Sequence, residues 1–374
     1  MKTISKQFGF GQKVMALAIV AAFGPAHADD VADLTQPVSS ISVGIGAASG
    51  DSKDRSIFGQ YNGMREHNGY GLVDVDVVKR DNATGTWMTL MGRNLGLDNR
   101  EVAGSIEKQG DWKLTGGYNE ITHHEIRTIN TGDLGVGTNT PTVVRLATAG
   151  SGNDVNLKLD RKAWSVGAEK WLTPALQFEM NFKSEDKDGA RFTGKGYDCA
   201  AYVCALPAGA TTLTAVKNAL LMQAEPVNTN TKQFDMKFNF SDEKLNVNAG
   251  YYGSFFTNAN GSVNMTVPNA LNNGLGTAAN PLYVATAATV IAGGGMGLQQ
   301  VLQQPFALPP DNQAHQFYVD GNYAFTKTTK ATFKYAYTHA TQNEDFLGQG
   351  LTGAPNNVAN LRGVVDTTLA QFSL

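Results

Sequence analysis

The sequence predicts an all-β fold: a transmembrane antiparallel β-barrel with short periplasmic turns and long extracellular loops. Three observations predict it. Apolar and polar residues alternate with period two along most of the chain. The alternating segments run about 9–11 residues, the length of a tilted membrane strand. The connections between them alternate between short and long, as barrels arrange periplasmic turns and extracellular loops.

Composition fits that class and excludes others. The chain has 374 residues, 30 Lys+Arg and 33 Asp+Glu, for a net charge of −3. Nucleic-acid binding needs a basic excess, which is missing. Charged residues make up 17%, below the roughly 25% of a soluble domain. Past the first thirty residues no apolar run approaches the ~18 residues of a membrane helix. Two cysteines and 41 glycines do not describe a disulfide-dense scaffold.

Residues 1–28 read as a secretory signal. Lys2, Lys6 and Lys13 supply its positive start, Val14–Phe23 its apolar centre and Ala26-His27-Ala28 its cleavage site. Residues 29–55 read as a periplasmic lead segment, and 56–374 as the barrel. Ile41, Val43 and Ile45 alternate too, but as a spanning strand they would break the parity of the pattern.

About twelve strands are expected: 56–64, 70–80, 86–95, 101–109, 112–121, 158–171, 176–186, 232–241, 245–255, 314–325, 330–339 and 365–374. Phe178, Met180 and Phe182 alternate with Glu179, Asn181 and Lys183. Phe234, Met236, Phe238 and Phe240 alternate with Asp235, Lys237 and Asn239. Successive strand side chains point to opposite faces, so each strand has one apolar and one polar face. Trp87, Trp112, Tyr118, Trp164, Trp171, Tyr251, Tyr252 and Tyr337 sit near segment ends, where an interfacial aromatic girdle belongs. Short turns are expected near 81–85, 109–111, 172–175, 241–244 and 326–329. Long connections are expected near 122–154, 187–231, 256–313 and 340–364.

With the apolar faces toward lipid, Asp74, Asp76, Glu179, Lys183, Asp235, Lys237, Asp320 and Lys334 line the lumen. A polar lumen wall needs no further explanation than water or a plug. Cys199 and Cys204, in one long connection, suit a small loop disulfide in an oxidising compartment; a redox or metal loop and two free thiols are the other readings. No C-x-x-C-H occurs, so covalent haem by the usual route is excluded. His123-His124-Glu125 marks a strand-to-loop junction; adjacent histidines on a regular strand face opposite ways and cannot share one ion. No hydrolase or phosphate-binding motif is present, so no enzyme activity, metal or directly bound cofactor is expected.

Several segments resemble the MtrB/PioB family of decahaem-associated outer-membrane proteins. They are Ile41–Gly46, Phe58-Gly-Gln-Tyr-Asn-Gly63, Gly69–Asp76, Gly92-Arg-Asn-Leu-Gly-Leu-Asp-Asn-Arg100, Gly110–Ile121 and Val365–Phe372. The block with Asn94-Leu-Gly-Leu97 and its arginine is the most specific. The tail is similar to an internal strand of the family, so the resemblance implies the N-terminal half of a larger barrel, incomplete at its C-terminus. It also implies an outer-membrane sheath that holds a periplasmic multihaem c-type cytochrome for extracellular electron transfer. Haem would lie only in that partner, with an extracellular multihaem cytochrome as a second partner. On this reading the eight lumen charges are partner contacts. The alternative is a general diffusion porin or solute channel.

Overall fold

The computed structural model describes residues 38–198 (except 145, 147 and 149), 218–266, 303–346 and 358–374. The leader at 1–28 and the pair Cys199 and Cys204 lie outside the described residues. Twelve strands form one antiparallel sheet. They are β1 (Ser40–Ala47), β2 (Gly69–Asp81), β3 (Thr86–Arg93), β4 (Arg100–Lys108), β5 (Trp112–Thr131), β6 (Asn153–Thr173), β7 (Leu176–Asp198), β8 (Asn218–Ser241) and β9 (Leu245–Asn258), then β12 (Asn312–Ala324), β13 (Lys330–Gln342) and β14 (Gly363–Ser373). A two-residue ladder, β10 (Ser262–Val263) with β11 (Phe306–Ala307), stands apart. Every neighbour in the large sheet is the next strand in sequence, apart from this small insertion. The sheet is open, with β1 and β14 at its edges.

Eleven of the expected strands are present, and the twelfth is elsewhere. Residues 56–64 are not a strand. They hold the end of a short helix, α1 (Ser52–Phe58), and the turns after it. Asp51 caps the helix, its carboxylate accepting the Asp54 N–H at 2.8 Å, and the Gly59 N–H closes the other end on Arg55 O. The first strand is instead Ser40–Ala47, paired with β2 from Ser40 opposite Asp76 to Ala47 opposite Gly69. Parity survives because one strand replaces the other.

Four consecutive strands exceed expectation. β5 to β8 span 20, 21, 23 and 24 residues, twice what a bilayer needs. Their outer halves rise past the apolar band, so the period-two contrast that marks a membrane strand fades there. That end carries a small apolar core. Leu157, Ala190 and Ala224 are buried together, with Ile129, Val136 and Val155 against them. The segment 132–143 reaches this core through Val136 and is tied to 264–266 by Val143 N–H to Thr266 O and Asn264 N–H to Asn139 O.

Candidate functional site: the polar inner face and its rims

Cross-strand register shows which residues share a face. From Ser40 one row runs through Asp76, Met91, Ala103, Gly117, Ser165, Lys183, Gln233, Ser254, Ala314 and Ala340 to Val365, crossing all twelve strands. Residues two apart share this face. All eight residues expected in the lumen therefore lie on it. The opposite face carries Val75, Leu90, Ile106, Leu114, Val166, Phe182, Phe234, Met236, Phe238, Phe317 and Tyr335. Many of these are open to the surroundings, Phe317 at 59% and Leu114 at 50%. Exposed apolar side chains in a continuous band are what a lipid-facing wall requires.

The band is edged by aromatics, though not by all those expected there. Tyr118 stands opposite Trp164 on the lipid face, Trp164 packs on Phe182 and Tyr251 on Phe317, with ring centroids 5.1 and 5.2 Å apart. Trp87, Trp171 and Tyr252 point inward instead. Arg80 lies 4.8 Å over the Trp87 ring, and the Tyr252 hydroxyl accepts from Gln233 Nε2 at 2.8 Å. Position near a strand end does not settle the face; parity does.

Seven of the eight lumen residues are tied into the wall by hydrogen bonds or ion pairs. Lys237 pairs with Glu179 at 2.9 Å, and Asn239 also donates to Glu179. Asp76 pairs with Arg93 at 2.6 Å and Lys183 with Glu185 at 3.2 Å. Asp74 accepts the Asn94 N–H at 2.8 Å, Asp235 the Tyr318 hydroxyl at 3.2 Å and Asp320 the Asn248 amide at 3.1 Å. Asp320 stands opposite Lys334 in register. Lys113 with Glu107, and Arg161 with Glu185, continue the pattern. Alternation in the sequence put all eight on one face; the cross-strand partners were not legible there, because that pairing depends on register. On β3 to β6 the wall is lined by small residues (Thr89, Ala103, Ser105, Thr115, Gly117, Ser165) around a hollow of about 460 Å³.

The two rims differ. At the short-turn end Asp111 binds Lys170 and lies 3.6 Å from Lys108. The hydrogen bond from Lys170 is the main reason its carboxyl titrates below the usual carboxylate range. At the long-loop end the 48–68 connection reaches across β3 and β4 to β5. The His124 N–H donates to Gln60 O at 3.0 Å, the Thr122 N–H to the Asn99 side chain at 2.7 Å, and Arg65 to Glu125 O. This covers a β5 edge that the shorter β4 leaves bare. His123 and His124 belong to β5 rather than to a loop start. His123 stacks on Tyr61 at 4.3 Å, and His124 is buried. Among the described residues no cluster of His, Cys, Asp or Glu is placed to hold a metal ion.

An antiparallel sheet with a lipid-facing apolar band, a polar inner wall and alternating short and long connections defines an outer-membrane β-barrel protein. The family model described as "Putative outer membrane beta-barrel porin, MtrB/PioB" matches residues 51–374. The chain belongs to this family, and its location is the outer membrane. Among solved structures, the chain is similar to OmpT, an outer membrane protein of Vibrio cholerae (11% identity, 89% of this chain and 74% of that one, TM-score 0.35). It is also similar to the siderophore receptor PiuA of Acinetobacter baumannii (12%, 81% and 44%, 0.39) and the ferric-catecholate import receptor Fiu of E. coli (15%, 81% and 48%, 0.37). No curated protein matches the chain.

Proposed function

We propose that the chain is wall material for a sheath that encloses a multihaem c-type cytochrome in the outer membrane, with no catalysis of its own. The observation that carries this reading is the inner face, built mostly of polar and small residues across twelve neighbouring strands and with several of its charges paired within the wall. Such a wall offers hydrogen bonds and small-residue relief to a folded occupant. It presents no strong field to select a small ion. Outside, the apolar band keeps lipid at one wall thickness from whatever the lumen holds. Haem would belong to the occupant; the chain's residues would position it and exclude lipid.

The test is co-expression of the complete reading frame with its genomic neighbours, gentle extraction and a native gel stained for haem. A haem-positive band containing this chain is the expected result. A stable, haem-free barrel in cells that make such a cytochrome would refute the sheath. The second reading, a diffusion porin, draws on the same polar wall. It requires steady conductance in planar bilayers from the barrel alone.

A further inference from the structure

Just above the aromatic edge of the lipid-facing band lies a cluster that neither reading uses. Arg100, Glu120 and Lys162 occupy one row on β4, β5 and β6, next to the Tyr118–Trp164 pair and on the same outward face. Glu120 is the hub. One carboxylate oxygen accepts Arg100 Nε at 2.8 Å and Nη2 at 2.7 Å, and the other lies 3.4 Å from Lys162 Nζ. The Tyr118 hydroxyl donates to the same group at 3.2 Å. The carboxylate is 9% exposed, while the Arg100 and Lys162 side chains are 46% and 54% exposed.

Two cations share one acid, so the cluster keeps a net charge of +1. Glu120 engages only Nε and Nη2 of the guanidinium, which leaves Nη1 and most of the Lys162 ammonium protons directed away from it. The height is decisive. One residue pair toward the turns lies Tyr118 opposite Trp164; one pair toward the loops lies Thr122 opposite Asp160, joined at 2.7 Å. The cations therefore stand where apolar wall gives way to polar wall, at the level of lipid phosphates.

We infer that Arg100 and Lys162, held apart and aimed by Glu120, form a docking site for the phosphate of an anionic lipid in the loop-side leaflet. Arginine matches phosphate with paired donors, and cations at a membrane surface attract anionic headgroups. Glu120 is a positioning residue: it orients both cations and offsets one of their charges. The inference stands on the outward orientation of this face and is independent of what fills the lumen.

The experiment is native mass spectrometry of the protein expressed from its complete reading frame, in nanodiscs of phosphatidylcholine doped with phosphatidylglycerol, counting retained lipids. Heat-dependent gel mobility confirms that each variant is folded. The unsubstituted chain should retain phosphatidylglycerol preferentially. Arg100→Gln and Lys162→Gln should each reduce that retention roughly fivefold, and together further. Glu120→Gln keeps a side-chain oxygen to accept from and aim Arg100 while removing the competing charge, so it should retain at least as much as the parent. Lys187→Gln, on the inner face of β7, should change nothing. Added inorganic phosphate should compete weakly if the site reads a lipid, and as well as phosphatidylglycerol if it reads free phosphate, which would overturn the lipid assignment. Unchanged retention in the double variant, or equal loss in Lys187→Gln, would overturn the site itself.

Discussion

Replacing Met236 by arginine tests the assignment of faces directly. On β8 the outward residues between the loop-side rim and the turn are Phe234, Met236, Phe238 and Phe240, starting after Lys232 and ending at Ser241. Nine residue steps of about 3.4 Å, on a strand tilted by about 40°, give a height of about 23 Å, close to the ~25 Å apolar band of such barrels. Met236 falls near the middle of that height. An arginine facing lipid there costs about 2–4 kcal/mol, or about 30- to 900-fold in the folding equilibrium. Gln233, three residues away, faces inward and donates to Tyr252. Gln233→Arg gives up that one hydrogen bond and keeps its charge in the lumen, a loss of about 1 kcal/mol or less. The assay is reversible folding of the protein from its complete reading frame into lipid vesicles under a guanidinium titration, read by gel mobility and tryptophan fluorescence. Equal costs for the two variants, or a larger cost for Gln233→Arg, would refute the face assignment.

Three other outcomes follow from the same geometry. Lys237→Glu sets two carboxylates face to face in the lumen and should cost about 1 kcal/mol; the exchange Glu179→Lys with Lys237→Glu should recover most of it in the same titration. Gly63 has φ +70°, and a Cβ there would lie 3.0 Å from the Asn99 amide nitrogen. Gly63→Ala should cost about 1–2 kcal/mol locally and speed tryptic cleavage after Arg55 or Arg65. Asp111 titrates low because the folded chain supplies the Lys170 hydrogen bond. Its contribution is present above the ordinary carboxylate pKa and disappears as pH falls through the lower folded value, so Asp111→Asn should flatten the acid limb of stability measured from pH 5 to pH 2.

Legibility in the sequence followed the solvent. Where one face meets lipid and the other water, as in Phe234 to Phe240, the alternation is strong, and strand, face and lumen residues could all be read. Where both faces meet water, as in β7 beyond Ser184, the contrast vanishes and 187–231 reads as a loop. The helix at Ser52–Phe58 did carry a local signal, Asp51 as cap and Gly59 as stop, but Phe58 and Tyr61 drew the segment into a strand pattern. The candidate site divides the same way. Side-chain parity placed all eight lumen residues on one face, since parity is local. Their cross-strand partners were hidden because Arg93 meets Asp76, and Lys237 meets Glu179, through a register that local alternation does not define. The rim cluster escaped for a similar reason: Arg100, Glu120 and Lys162 are remote in sequence and meet only across β4, β5 and β6.

The open edges give the two functional readings different physical consequences. An unpaired strand edge in hydrocarbon costs several kcal/mol for each bare backbone group, so β1 and β14 must be covered in the membrane. They run antiparallel and could meet. Twelve strands tilted by about 40° and spaced about 4.8 Å apart would close at a backbone diameter of about 24 Å, leaving roughly 14 Å after inward side chains. A folded domain of even ~100 residues has a radius of gyration of about 13 Å and cannot enter that bore; water and small solutes can. A sheath therefore needs the edges covered by further strands, about twenty-two or more in all by the same geometry. Engineered cysteines on inward positions of the two edges, Gly44→Cys with Thr367→Cys or Leu369→Cys in a background where Cys199 and Cys204 are serine, separate the cases. Rapid intramolecular crosslinking in native outer membranes would mean that β1 meets β14, and the sheath reading would fail on size alone. The expected result is no intramolecular crosslink, with both thiols shielded from aqueous reagents by neighbouring strands.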